Sequence, residues 1–176
     1  MTKAEIQFIR SLADKRTRDT EHLFVAEGIK LVDEIINSQL QIRNIYTTRD
    51  DVAGRDVVRI EKREMERISQ LSTASDILAV VEQPRYSLKL NDLRSKLTLA
   101  LDGVQNPGNM GTIVRLADWF GIENIICSRE CADLYNHQVV QSTVGALLRV
   151  KVHCIVAFID PIRSIHFSSF LKKIYF

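Results

Sequence analysis

The sequence predicts an α/β protein built in two parts. Over the first ~80 residues, apolar runs of strand length alternate with stretches of helical spacing. After Pro84 the segment PRYSLKLND breaks that pattern, with no clear periodicity. From Leu97 the order strand, turn, helix, strand, helix, strand takes over. Such an order implies a parallel sheet with crossover helices.

In the first part, Ile6, Ile9, Leu12 and Ala13 recur at helical spacing and predict a helix from Ala4 to Ala13. Phe24-Val25-Ala26 reads as a strand. Glu27-Gly28 is the turn out of it, with Gly28 permitting an unusual φ and RNA contact as a second use. Leu31, Val32, Ile35 and Ile36 mark the next helix. Ile42–Tyr46 and Val57–Ile60 are strands on either side of a polar stretch, Glu61–Leu71 is a charged helix, and Ile77–Val81 is a buried strand. These assignments place a first domain at 1–84 and a linker at 85–96.

In the second part, Leu97–Val104 is a strand and QNPGN a turn. Asn109 is the candidate N-cap of a helix over Met110–Phe120, and Gly121 stands where a C-terminal cap belongs. Ile122–Ser128 is a strand, Asn136–Leu148 a helix, and Arg149–His153 a third strand. Projected at about 100° per residue, the Met110 helix places Ile113, Leu116, Ala117 and Phe120 on the face that packs on the sheet. Trp119 lies on its flank as packing. Arg115 falls on the opposite side, one turn after Gly111. That arrangement suits a guanidinium meeting a phosphate or ribose at close range, and equally a solvated arginine beside a tolerated glycine. Ligands of open α/β sheets bind at the carboxyl ends of strands, where the Asp102–Asn109 loop lies.

Composition excludes several classes. The chain has 176 residues, 24 Lys+Arg against 22 Asp+Glu, and is 45% hydrophobic, too apolar for disorder. Three cysteines, Cys127, Cys131 and Cys154, are too few and too scattered for a disulfide framework, so a reducing, cytoplasmic setting is expected. The four histidines and three cysteines have no metal-ligand spacing, so no metal is expected. The N-terminus lacks the apolar core of a signal peptide. Residues 154–176 are interrupted by Asp160, Pro161 and Arg163 well short of ~20 apolar residues, so no membrane anchor is expected. Gly103, Gly108 and Gly111 do not spell G-x-G-x-x-G, and no acidic residue ends the next strand. The dinucleotide fingerprint fails. Near the N-terminus, Arg10, Lys15, Arg16 and Arg18 form a basic cluster interrupted by Asp14 and Asp19, which fits phosphate contacts or a solvated helix end alike.

Three segments in order carry a family resemblance. Asp102-Gly-Val-Gln-Asn-Pro-Gly followed by Asn109-Met-Gly111-Thr-Ile-Val-Arg115 resembles the first motif of the SpoU (TrmH-like) RNA ribose methyltransferases, N-x-G-x-x-x-R after D-x-V-x-x-P. Thr143-Val-Gly145-Ala146 resembles the family's S-x-G-A segment, with Thr for Ser. Arg18, Phe24-Val-Ala-Glu27-Gly28 and Ile77-Leu-Ala-Val-Val81 resemble the family's substrate-binding domain. The resemblance implies an L30e-like α/β RNA-binding domain at 1–84. At 97–153 it implies the first part of a SPOUT-type α/β methyltransferase domain with a parallel sheet, of the trefoil-knot type. The implied activity is methyl transfer from S-adenosylmethionine to a ribose 2′-hydroxyl of tRNA or rRNA by a homodimer. Arg115 and Asn109 take the catalytic positions, and Arg16, Arg18 and Gly111 the RNA contacts. A guanidinium is a poor proton acceptor, so Arg115 is expected to anchor phosphate and ribose, with proximity supplying much of the acceleration.

The family's cofactor residues stay unassigned. Its later G-x-E-x-x-G-like and S-L-N-x-x-x-A segments do not occur here, and residues 154–176 align with none of its motifs by inspection. That tail carries the whole net charge of +2 and five of the chain's twelve aromatic residues. Truncation or frameshift is the expectation, with weak or no S-adenosylmethionine binding and an inactive chain. The alternative is a non-catalytic RNA-binding protein working through its first domain.

Overall fold

The computed structural model describes residues 1–54, 56–88 and 96–155. It separates into two compact units, one of Met1–Pro84 with Tyr135–His137, the other of the chain from Arg85 onward without that short piece. Much of the expected 85–96 linker, and the tail beyond residue 155 with any knot it would form, fall outside the described residues.

In the first unit α1 (Lys3–Ser11) opens with a capping box, in which Glu5 N–H donates to Thr2 Oγ1 (3.2 Å) and Thr2 N–H to the Glu5 carboxylate (2.7 Å). A second helix, α2 (Lys15–Glu21), follows where hydrophobic spacing predicts none. Its sequence KRTRDTE has no apolar stripe, and what starts it is Asp14, which accepts from Arg16 N–H (2.8 Å) and Thr17 N–H (3.2 Å). Then come β1 (Leu23–Glu27), α3 (Ile29–Ile36), β2 (Ile42–Thr47), β3 (Val57–Arg59), α4 (Lys62–Ile68) and β4 (Ile77–Glu82). The sheet order is β1-β4-β2-β3, with β2 and β3 parallel and the other pairs antiparallel.

All of β1, and β4 up to its last residue, are buried, as continuous apolar runs require when both faces of a sheet are covered. Leu23, Val25, Leu78 and Val80 pack with Ile6, Ile9 and Leu12 next to α4's Met65 and Ile68. Phe24, Ala26 and Ala79 alternate with them and point to the other face. Helix α3 touches β1 and β4. Glu27, at the end of β1, is buried too, and accepts from Ser69 Oγ (2.6 Å) and Gln70 N–H (2.7 Å). The Glu27-Gly28 turn therefore ties the chain after α4 to the sheet.

The second unit holds β5 (Thr98–Leu101), α5 (Pro107–Trp119), β6 (Asn124–Ser128), α6 (His137–Thr143) and β7 (Lys151–Ile155), with a 3-10 turn at Ala146–Leu148. The three strands are parallel in the order β5-β6-β7, as the alternating order predicted. Every residue of the central strand β6 is buried.

Helix α5 departs from expectation at its start, while Gly121 (φ 67°) follows its end as predicted. It begins at Pro107, so Asn106 is the N-cap and Asn109 lies inside the first turn. Proline suits a first helical position, because its missing N–H would lack an intrahelical partner there. The buried face is Met110, Gly111, Ile113, Val114 and Ala117. Leu116 at 48%, Trp119 at 84% and Phe120 at 72% exposure lie outside it, which corrects the predicted face at Leu116 and Phe120 and the packing role expected of Trp119. The stripe is turned because Gly111, which has no side chain to score as apolar, sits at its centre. Helix α6 is also shorter than predicted, since Val144 (φ 48°) and Gly145 (φ 82°) enter the left-handed region and stop it.

Candidate functional site

The loop leaving β5 is held from below by the chain end of β6. Gly103 N–H donates to Ser128 Oγ (3.1 Å), and Val104 N–H to Cys131 Sγ (3.4 Å). Ala132 N–H donates to Val104 C=O (2.7 Å), and Cys131 Sγ to Leu101 C=O (3.4 Å). A backbone turn that would otherwise be open to water is thus fixed by one hydroxyl, one thiol and one peptide. The Asn106 side chain accepts from Asn109 N–H (3.0 Å), and Thr112 Oγ1 donates to Gly108 C=O (2.8 Å). Loop and helix start are therefore set before any ligand arrives.

On this frame Arg115 is exposed and no side-chain partner holds its guanidinium among the described residues. Asn109 is exposed as well, six residues earlier and about 9 Å away along the helix axis. Its amide N–H is engaged by Asn106, and its side chain faces outward.

Gly111 does not do what the spacing predicted. It is buried, and a Cβ built there would lie 2.3 Å from Ser142 Cβ and 3.0 Å from Val139 C=O. The glycine lets α5 lie directly against α6, and clears no space for Arg115. As an RNA contact it is withdrawn. Arg18 is withdrawn for a similar reason. It is 3% exposed, and its Nη1 donates to Leu12 C=O (2.8 Å) and Ala13 C=O (2.7 Å), the carbonyls left over at the end of α1. Arg16 stays exposed on α2, in the first unit. Lys15 beside it is paired with Asp19 (2.8 Å) one turn on.

Sequence reasoning missed three parts of the site: the Asn106 cap, the Ser128–Cys131 clamp, and the strained pair Val144-Gly145. The cap had a signal, since asparagine followed by proline favours a helix start. Val144 is a β-branched residue at positive φ and 57% exposed, in the very segment that resembles S-x-G-A. Strain of this kind collects where a backbone shape is needed for function. At the end of β6, Ser128 Oγ and Cys131 Sγ are both engaged by the β5 loop.

The chain thus sets a mixed α/β module ahead of a parallel α/β module, with an exposed arginine on the first helix after a strand-end loop. Residues 96–170 match the SpoU rRNA Methylase family, and residues 3–79 the MRM3-like substrate binding domain. The chain belongs to the SpoU family. The match reaches residue 170, well past His153 and into the stretch that inspection left unaligned. The chain is 27% identical over 149 residues to the 23S rRNA (guanosine(2553)-2′-O)-methyltransferase RlmP of Bacillus subtilis, covering 81% of this chain and 58% of that protein. A TrmH-family structure from Porphyromonas gingivalis superposes with a TM-score of 0.79 at 34% identity, over 92% of this chain and 66% of that one. An AdoMet-bound rRNA methyltransferase from Sinorhizobium meliloti superposes at 0.74 with 28% identity, over 88% and 62%. The chain thus spans roughly three-fifths of each relative. No helix among the described residues is long and apolar enough to cross a membrane, and no group of three or more potential ligands for a metal ion occurs there.

Proposed function

We propose that this chain serves 2′-O-ribose methylation of ribosomal RNA, with S-adenosylmethionine as methyl donor. Residues 1–84 would receive the RNA, 85–96 would link, and 97–153 would present the reacting ribose. The observation that carries the reading is Arg115, an exposed guanidinium on a helix whose start and entry loop are locked in place. A forked cation suits a phosphate and its neighbouring ribose oxygens together. Holding the ribose there turns a diffusive encounter into a local one, the contribution an unreactive side chain can make. Asn109, an outward-facing amide nearer the helix start, would accept or donate to the same strand. Arg16 would add a phosphate contact from the first unit. The methyl donor would supply the transferable methyl when bound. Two copies acting together and a cytoplasmic setting complete the reading.

The test is transfer of labelled methyl from S-adenosylmethionine to 23S rRNA fragments, with 2′-O-methyl mapping of the product and filter binding of the same RNA. Transfer that falls in Arg115→Lys, with RNA binding weakened, supports the anchor role, because lysine keeps the charge and loses the fork. Unchanged affinity and turnover in that variant would sink it. A second reading, an RNA-binding protein without transfer, draws on the match of residues 3–79 to a substrate binding domain. Salt-sensitive binding with no methylated product would select it.

A further inference from the structure

The parallel pairing of β6 with β7 sets Cys127 directly opposite Cys154. Adjacent strands lie about 4.8 Å apart, within the Cα separation that a disulfide spans. Residues opposed in one ladder point to the same face, and here the two sulfurs touch, Sγ to Sγ at 2.7 Å. Their surroundings differ. Cys127 is fully buried in the central described strand, whereas Cys154 is exposed on β7. Cys131, the remaining cysteine, is engaged in the clamp under the β5 loop. Neither Cys127 nor Cys154 has a part in the proposed methyl transfer.

We propose that Cys127 and Cys154 form an oxidation site, a thiol pair that closes to a cross-strand disulfide when the chain meets a two-electron oxidant such as a peroxide. The exposed thiol reacts first. The Cys154 thiolate attacks a peroxide oxygen, the O–O bond breaks, and water leaves once the departing oxygen takes up a proton. Cys154 is then a sulfenic acid. Cys127 attacks that sulfur, the S–S bond forms, and the sulfenic hydroxyl leaves with the Cys127 proton as a second water. Two thiols and one peroxide thus give one disulfide and two waters. Contact with Cys154, together with burial, holds Cys127 far toward its protonated form, so the buried member does not react with oxidant on its own. Closure ties β7 to β6, the central of the three described strands, in the register the fold already has.

Peroxide treatment of the full chain, followed by digestion without reductant and mass spectrometry, tests this. The expected product joins the Cys127 and Cys154 peptides, about 2 Da lighter than the two thiols. It persists in Cys131→Ser and is lost in Cys127→Ser. Iodoacetamide applied to the folded, unmutated chain is expected to label Cys154 well before Cys127, and labelling first is expected to prevent the bridge, which needs no variant. Three results would overturn the proposal. One is a bridge to Cys131, another is oxidation that stops at a sulfinic acid on Cys154, and the third is equal labelling of Cys127 and Cys154 in the folded chain.

Discussion

Two arginines, one from each unit, began as equals in the sequence and ended in opposite roles. Arg18 sits in the polar helix α2 among other basic residues, where phosphate binding reads naturally. The fold turns it inward to close the end of α1, with Leu12 and Ala13 carbonyls as its acceptors. Arg115 sits in an amphipathic helix where an arginine reads as solvated surface, and the fold leaves it outside on a locked scaffold. A basic residue near a helix end has carbonyls to satisfy, and satisfying them removes it from the surface. A basic residue in mid-helix has no such claim upon it.

Substitutions can break or sharpen that contrast. Arg18→Ala is expected to cost the most stability, about 3 kcal/mol, because two charge-assisted hydrogen bonds go and two carbonyls lose their donor. Chemical denaturation measures it, and a loss below about 0.5 kcal/mol would return Arg18 to the surface class. Gly111→Ala follows at about 2 kcal/mol, since the new Cβ drives α5 off Ser142 in a packed contact. A wild-type melting curve for that variant would show that α5 and α6 do not meet as described. Val144→Gly is expected to stabilise by about 1 kcal/mol, by relieving the left-handed valine, and to slow methyl transfer if the strain serves the site. Arg115→Ala closes the series, with stability within about 0.5 kcal/mol of the parent and a clear loss of RNA affinity. Large destabilisation there would make the two arginines alike after all.

Glu27 gives the first unit a pH signature. Burial holds its carboxyl above the usual carboxylate range, against the lowering effect of its bonds to Ser69 and Gln70. The folded state therefore keeps the proton more tightly than the unfolded chain does. The stability this contributes is full below the ordinary glutamate range and is lost as pH rises through the raised folded value. Glu27→Gln, which cannot ionise, is expected to flatten that fall. Denaturation midpoints at several pH values read it, and parallel curves for both proteins would place the titration elsewhere.

Most of the strands were legible because buried strands announce themselves. Phe24-Val-Ala, Ile77–Val81 and the Ile125–Cys127 part of Ile122–Ser128 are apolar runs bounded by polar or turn residues, and all three lie in strands, the last of which begins at Asn124. Helix α2 was not, because KRTRDTE buries nothing that hydrophobic spacing detects. Its cap Asp14 was the readable sign. The buried face of α5 was misjudged around Gly111, since a residue without a side chain contributes to packing only through what approaches it. Of the candidate site, the N-x-G-x-x-x-R segment was visible and its glycine was misread.

The sequence alone determined the order of the strands and of the helices with an apolar face, the division into two α/β parts and the motif that names the family, because these depend on local propensity and on the spacing of apolar residues. Tertiary structure decided what each functional-looking residue does. Whether Arg18 faces RNA or a carbonyl, whether Gly111 clears a ligand or a helix, and whether Cys127 meets Cys154 all depend on neighbours remote in the chain. Contact chemistry belongs to pairs of residues, and a linear sequence records only one member at a time.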